Sequence, residues 1–210
     1  SNRIESIEFR VNDCLERSLN GKKIDSLSRE MRAFVAYLKW MGKDVKKGEK
    51  VADAGVENLA YLDRPADPQK GKALYINKCQ VCHGRKGEGL VRNDSLGYIY
   101  PPLWGEHSFN IGAGMFRLSR LAGFIKTNMP FGTTYKNPQL STEQSWDVAA
   151  YISSQPRPSH DLHADWPDIS LKPFDHPFGP YADGFSELQH KYGPFGPIVK
   201  AGEKKKLANR

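Results

Sequence analysis

Cys79-Gln80-Val81-Cys82-His83 is the run that most limits what this chain can become. Two thiols three positions apart on a helical turn can each form a thioether to one vinyl group of a haem, and the imidazole that follows falls beneath the iron as proximal ligand. A zinc site would want two further Cys or His at compact spacing. A thioredoxin-like pair would want a strand before it and a helix after it, whereas here helical spacing precedes the motif and the Gly-rich stretch from Gly84 to Gly89 follows it. The run reads as a c-type haem attachment site.

The residues around the motif suit that reading. Asp67-Pro68 offers an N-cap and a proline at the first helical position, so a helix over 68–78 leads directly into Cys79. Gly71 and Tyr75 lie on one face of it. Apolar residues recur at helical spacing through 113–128, and Ser141 with Gln144 makes a capping-box pattern that opens a helix to about Ser154, carrying Trp146 and Tyr151. Met129 stands between a helix end and Pro130, where its thioether can reach an iron from the side opposite His83. Met31, Met41 and Met115 sit inside amphipathic helices and are accounted for by core packing. Asn128 is a candidate hydrogen-bonding group in the haem pocket, and Lys126 a solvated charge.

The expected fold is all-α. Residues 1–42 carry two helices, over 3–20 and from Ser26 or Ser28 to Trp40 or Met41, with Ile4, Ile7, Val11, Met31, Phe34 or Val35, and Leu38 facing inward and Gly21 and Gly42 as stops. Residues 43–66 read as a linker, 67–155 as the haem-type domain, and 156–210 as an extended arm with a basic tail expected to fray. The arm holds 8 of the 14 prolines together with seven aromatic residues, too many prolines for regular helices and too many aromatics for an unstructured tail. With 210 residues and three cysteines the chain has no need of a disulfide framework. No apolar run approaches the roughly 18 residues of a membrane span. Ser1 reads as a processed or clipped end.

The third cysteine, Cys14, stands alone. It fits a buried position on the stripe Ile7, Val11, Cys14, Ser18, yet Arg10, Asn12, Asp13, Arg17, Ser18 and Asn20 surround it with polar groups. Guanidinium charge nearby favours the thiolate, the nucleophilic and metal-ligating form.

Residues 67–155, with CxxCH, Gly71, Tyr75 and Met129, resemble a class I cytochrome c domain. The resemblance implies His83/Met129 ligation and a haem edge exposed near Gly84–Gly89. More widely, RVNDCLERSLNG, SREMRAFVAYLKW, NMPFG and AAYISSQPRP together resemble the thiosulfate dehydrogenase family over nearly all of residues 3–158. Its members are bacterial dihaem cytochromes c that couple two thiosulfates to tetrathionate or run the reverse. The resemblance implies that Cys14 is the distal ligand of an N-terminal catalytic haem, that Ser18 with Arg10 and Arg17 binds the sulfur oxyanion, and that the haem on Cys79, Cys82, His83 and Met129 takes electrons out.

The sequence departs from that family in having no CxxCH ahead of Cys14. Either the chain is the C-terminal part of a longer polypeptide or that haem has been lost; the intact Cys14, Ser18 and Arg10 favour the first, with residues 1–42 as the C-terminal part of a catalytic cytochrome c-like domain whose haem is attached outside this sequence. Three functions stay open: an oxidoreductase interconverting thiosulfate and tetrathionate, a monohaem electron carrier, and a sulfur-oxidation cytochrome carrying a persulfide on its cysteine. Covalent haem attachment implies export to the bacterial periplasm and a small cytochrome c or similar carrier as redox partner. The net charge of +7 would steer anionic substrates and acidic partners and does not argue for nucleic acid.

Overall fold

Short polar side chains start most of the helices. In the computed structural model, which describes residues 5–46, 48–49, 51 and 54–208, Ser6 accepts from Phe9 N and opens α1 (Ile7–Asp13). That helix runs straight into a π-helical turn at Cys14–Ser18. Ser28 caps α2 (Arg29–Met41), which Gly42 ends. Asp67 accepts from Gln69 N and Lys70 N and, with Pro68 in the first turn, starts α3 (Pro68–Lys78). A short α4 (Gln80–His83) carries the second half of the motif, and β1 (Leu90–Val91) pairs antiparallel with β2 (Tyr98–Tyr100). Then come α5 (Leu118–Asn128) and α6 (Thr142–Ser154), the latter opened by the reciprocal Ser141–Gln144 capping box. The chain closes with α7 (Glu187–Tyr192) and α8 (Phe195–Ala208). It is mostly helical, as expected.

The core sits where α3, α5 and α6 meet. Gly71 lies so close to α6 that a Cβ there would run into the Asp147 carbonyl and the Tyr151 side chain. Asp147 itself is buried and accepts from Arg64 Nη1 at 2.8 Å, Arg64 Nη2 at 2.9 Å and Asp67 N at 2.7 Å. Trp146 donates to Ala60 O at 3.0 Å. The segment leading to α3 is thus sewn onto α6, with Leu59 and Ala66 in the core and Tyr61 edge-on to Phe174 and Phe195.

The N-terminal helices are less covered. Met31 is fully buried and, of the pair Phe34 or Val35, Val35 is the half-buried one, but Leu38, expected to face inward, is 41% exposed. α1 packs on α2, and one helix covers one stripe. Ile4 lies outside the described residues.

The C-terminal arm differs from expectation at its end. The basic tail forms α8 from Phe195 to Ala208, and residues 209–210 lie outside the described ones. Pro197 falls in the first turn, where no backbone N–H is required, Phe195 and Ile198 anchor in the core, and the Lys, Ala, Glu and Leu that follow favour helix. Earlier in the arm, the carboxylate of Asp175, wholly buried, accepts from Arg117 Nε, Ser119 N and the Ser119 hydroxyl. It thereby caps α5, whose own N-cap residue Arg117 offers no acceptor.

Gly71→Ala should lower stability by about 1–3 kcal/mol, because the new methyl group can be housed only by parting α3 from α6. Denaturant melts of the two proteins measure this; an unchanged midpoint would mean that the helices do not cross so closely.

Candidate redox site

The geometry of the motif follows from the end of α3. Cys82 N and His83 N both donate to Cys79 O, at 3.1 and 3.0 Å, closing a tight turn in which Cys79 stands between α3 and α4 and Cys82 lies on α4. Gly84 then leaves the helix with φ of 81°, and its carbonyl accepts from the Tyr75 hydroxyl at 2.6 Å. Tyr75, Trp104 and Tyr151 form an aromatic cluster behind the motif. Gly87, with φ of 65°, lies against the Trp104 ring, leaving no room for a side chain.

His83 is 8% exposed, and its Nδ1 lies 2.8 Å from Pro101 O. A carbonyl can only accept, so Nδ1 carries the proton and Nε2 keeps its lone pair for a metal. Cys79 and Cys82 are both unpaired, and burial, reinforced by the neighbouring Cys82, pushes the Cys79 thiol up to about 11. An oriented imidazole and two free thiols on one turn fit covalent haem. Val81 and Phe131, the apolar neighbours of the motif and of Met129, are 84% and 92% exposed, which suits side chains bordering a large apolar group.

Met129 ends α5, with its N–H on Ile125 O at 3.0 Å and an extended backbone. It is half-buried against the core. Asn128, expected to serve the haem pocket, spends its amide on Phe124 O at 3.0 Å and Thr127 Oγ1 at 2.8 Å. Lys126, expected to be solvated, donates to Leu140 O at 2.9 Å.

Cys14 is exposed at the start of the π-helical turn, with Ser18 exposed at its end. The two arginines expected to bind an oxyanion beside them are both engaged. Arg17 grips Asp165 in a two-point pair at 2.6 and 2.7 Å, and its Nε lies 2.8 Å from Asp13. The hydrogen bond to Asp165 raises its pKa. Arg10 lies 3.2 Å from Asp13 and 3.6 Å from Glu5 on the surface. The geometry therefore leaves Cys14 and Ser18 open to solvent and turns Arg17 into a fastening between the turn and the C-terminal arm.

Asn110, which no local pattern in the sequence marks, completes that fastening. It is 2% exposed, and its amide donates to Glu16 O at 2.8 Å and Asn20 Oδ1 at 3.1 Å, while its Oδ1 accepts from Gly112 N at 3.0 Å. Its backbone N–H donates to Arg17 O at 3.1 Å. Neither Asn110 nor Asp165 could be found by spacing, since each meets its partner across 90 residues or more of chain.

Comparison with known proteins adds to this geometry. Residues 68–156 match the cytochrome c family. The chain is 42% identical over 156 residues to a thiosulfate dehydrogenase of Allochromatium vinosum, covering 74% of this chain and 56% of that protein. With a thiosulfate dehydrogenase of Psychrobacter arcticus it shares 41% identity over 169 residues, 79% of this chain and 50% of the relative. Among solved structures it is similar to the thiosulfate dehydrogenase TsdBA of Marichromatium purpuratum, with a TM-score of 0.67 and 32% identity over 74% of this chain and 34% of that one. The chain spans about half the length of the curated relatives it matches.

Two outcomes are expected of the haem-bearing protein. Met129→Ala should abolish the weak long-wavelength thioether–iron band while the haem stays covalently attached, and a persisting band would exclude Met129 as ligand. Asp165→Ala should cost about 2 kcal/mol, as a charged hydrogen-bonded pair is lost, and speed amide exchange at Cys14–Ser18 while α3 and α6 keep their protection; unchanged exchange at the turn would show that Arg17 does not hold it.

Proposed function

We propose that this chain, whose residues 68–156 are a cytochrome c domain and which is related to the thiosulfate dehydrogenases, is a c-type cytochrome oxidoreductase that interconverts thiosulfate and tetrathionate in the bacterial periplasm. The observation that carries the reading is the docking of an exposed cysteine turn onto a cytochrome c domain through Asn110 and Arg17. A carrier needs only the domain. An enzyme needs a reacting surface held at a set place beside it.

In this reading Cys79 and Cys82 would hold a haem by thioethers, and His83 Nε2 and the Met129 thioether would be the protein groups offered to its iron. Bound there, the haem supplies one-electron oxidation and reduction, with thioether ligation favouring a high potential. The chain's own residues do the rest. Pro101 O fixes the His83 ring and its protonated nitrogen. Met129 is delivered by the end of α5, which Asp175 caps from the arm. Cys14, as the ligand of a second haem attached elsewhere, and the Ser18 hydroxyl face solvent, where a small oxyanion can reach them.

Oxidation removes two electrons from two thiosulfates as one S–S bond forms between them. The electrons leave one at a time to a small periplasmic cytochrome or similar carrier, and the reverse reaction restores two thiosulfates. Among the described residues no helix is long and apolar enough to cross a membrane.

Turnover with thiosulfate and an artificial one-electron acceptor tests the reading. The full-length gene product, with the segment that attaches the second haem, should form tetrathionate, and Cys14→Ala in it should remove that activity while leaving the absorption of the His83 haem intact. Tetrathionate formation retained in Cys14→Ala would overturn the role of Cys14. A single haem per polypeptide in the mature protein, by pyridine haemochrome, would favour the carrier reading instead.

A further inference from the structure

Arg157 is a charge without a counter-charge. Its guanidinium lies between two aromatic rings, 4.2 Å from the centroid of Phe109 and 4.7 Å from that of Phe116. Its acceptors are all backbone carbonyls: Ile152 O at 3.0 Å, Phe109 O at 3.4 Å and Leu103 O at 3.5 Å. Nε is buried with no partner. Among the described residues no carboxylate lies within 4.0 Å of it, in contrast to Arg17, Arg64 and Arg117. Burial alone pushes its pKa down to about 10, which still leaves it cationic near neutral pH. Buried cations are ordinarily paired, because desolvation costs several kcal/mol that only an opposite charge or a full set of hydrogen bonds offsets. Here the rings and carbonyl dipoles provide only part of that compensation.

The position of this charge gives it a use. Leu103 is two residues beyond Pro101, whose carbonyl accepts a hydrogen bond from His83 Nδ1, and Leu103 N donates to Gly87 O in the loop after the motif. Two residues of extended chain span about 7 Å, so the guanidinium lies within about 13 Å of the His83 ring. In a low-dielectric interior an unpaired charge is felt over such a distance. A ferric haem carries one more positive charge than a ferrous one, so a fixed cation nearby disfavours the ferric state.

We propose that Arg157 is a positioning and tuning residue of the His83 centre, whose unpaired guanidinium raises the reduction potential of the haem held there. This inference rests on the haem reading of Cys79, Cys82 and His83. Arg157 touches neither substrate nor iron. It acts through its field and through the Leu103–Phe109 segment that it grips.

Redox titration of the holoprotein tests the proposal with three variants. Arg157→Met removes the charge and keeps an apolar stem between the rings, Arg157→Gln removes the charge and keeps amide donors for the carbonyls, and Arg157→Lys keeps the charge. The midpoint potential of the His83 haem should fall in the two neutral variants and stay close to wild type in Arg157→Lys, with the thioether–iron band retained in all. Should the Met variant not fold, the Gln variant reads the same quantity. Unchanged potentials in the neutral variants would overturn the proposal. So would an equal fall in all three, because the fork geometry rather than the charge would then be responsible. A wild-type protein that binds no haem at Cys79 and Cys82 after c-type maturation would sink both this inference and the reading beneath it, whereas haem present with unmoved potentials would sink this inference alone.

Discussion

Where α3 crosses α6, the absence of a side chain at Gly71 lets the backbone of one helix rest on the Asp147 carbonyl of the other. Everything in the redox domain is placed from that crossing. Because α3 runs without a break into Cys79, its seat on α6 decides where both thiols and His83 stand. The same turn of α6 supplies the Asp147 carboxylate that binds Arg64 and the start of α3. Parting the helices would therefore strand a buried carboxylate as well as open a void. This contact is short-ranged and unforgiving, as interiors packed near crystal density are, and it brings together positions far apart in the chain before any cofactor contributes.

The stretch from Pro101 to Ala113 carries that order outward. At its start Pro101 O orients His83; at Leu103 and Phe109 it is gripped by Arg157; at Asn110 and Gly112 it holds the turn bearing Cys14. A segment with so little regular structure of its own holds its shape because its polar groups are paired. Asn110 is the plainest case, with three side-chain bonds and two backbone bonds made in a buried position. The cysteine turn and the haem-type motif are thus joined by one continuous, hydrogen-bonded piece of chain, which fixes their separation.

What could be read in the sequence was local chemistry. The Asp67-Pro68 start, the Ser141–Gln144 box and the Ser28 and Gly42 boundaries are decided within four or five residues, and they stand where spacing placed them. The CxxCH run likewise states its own purpose. The arm's prolines argued against helices there, but α8 begins beside Pro194 and takes Pro197 into its first turn, so proline content alone misjudged it. Long-range polar pairing was illegible. Nothing near Asp175 indicates that it caps α5, and nothing near Asp165 indicates Arg17, because such pairs depend on how separate segments fall together. Arg17 illustrates the same point, since Asp165 from the arm takes up its guanidinium, whereas the Asn128 amide is taken up within its own helix by Phe124 O and Thr127 Oγ1.

Arg17 and Arg157 show how much an arginine's partner decides. Both are shielded from solvent, and both hold an irregular segment against a helix end. Arg17 meets a carboxylate in a two-point geometry that suits the planar guanidinium, so the pair is nearly neutral at a distance and acts as a fastener. Arg157 meets rings and carbonyl oxygens, which lower the energy of the cation without cancelling its charge. A fastener could have been built at either place with either set of partners. The unpaired one stands beside the segment that orients His83 and the paired one under the turn that exposes Cys14, so the charge of the first reaches its surroundings while that of the second is met where it stands.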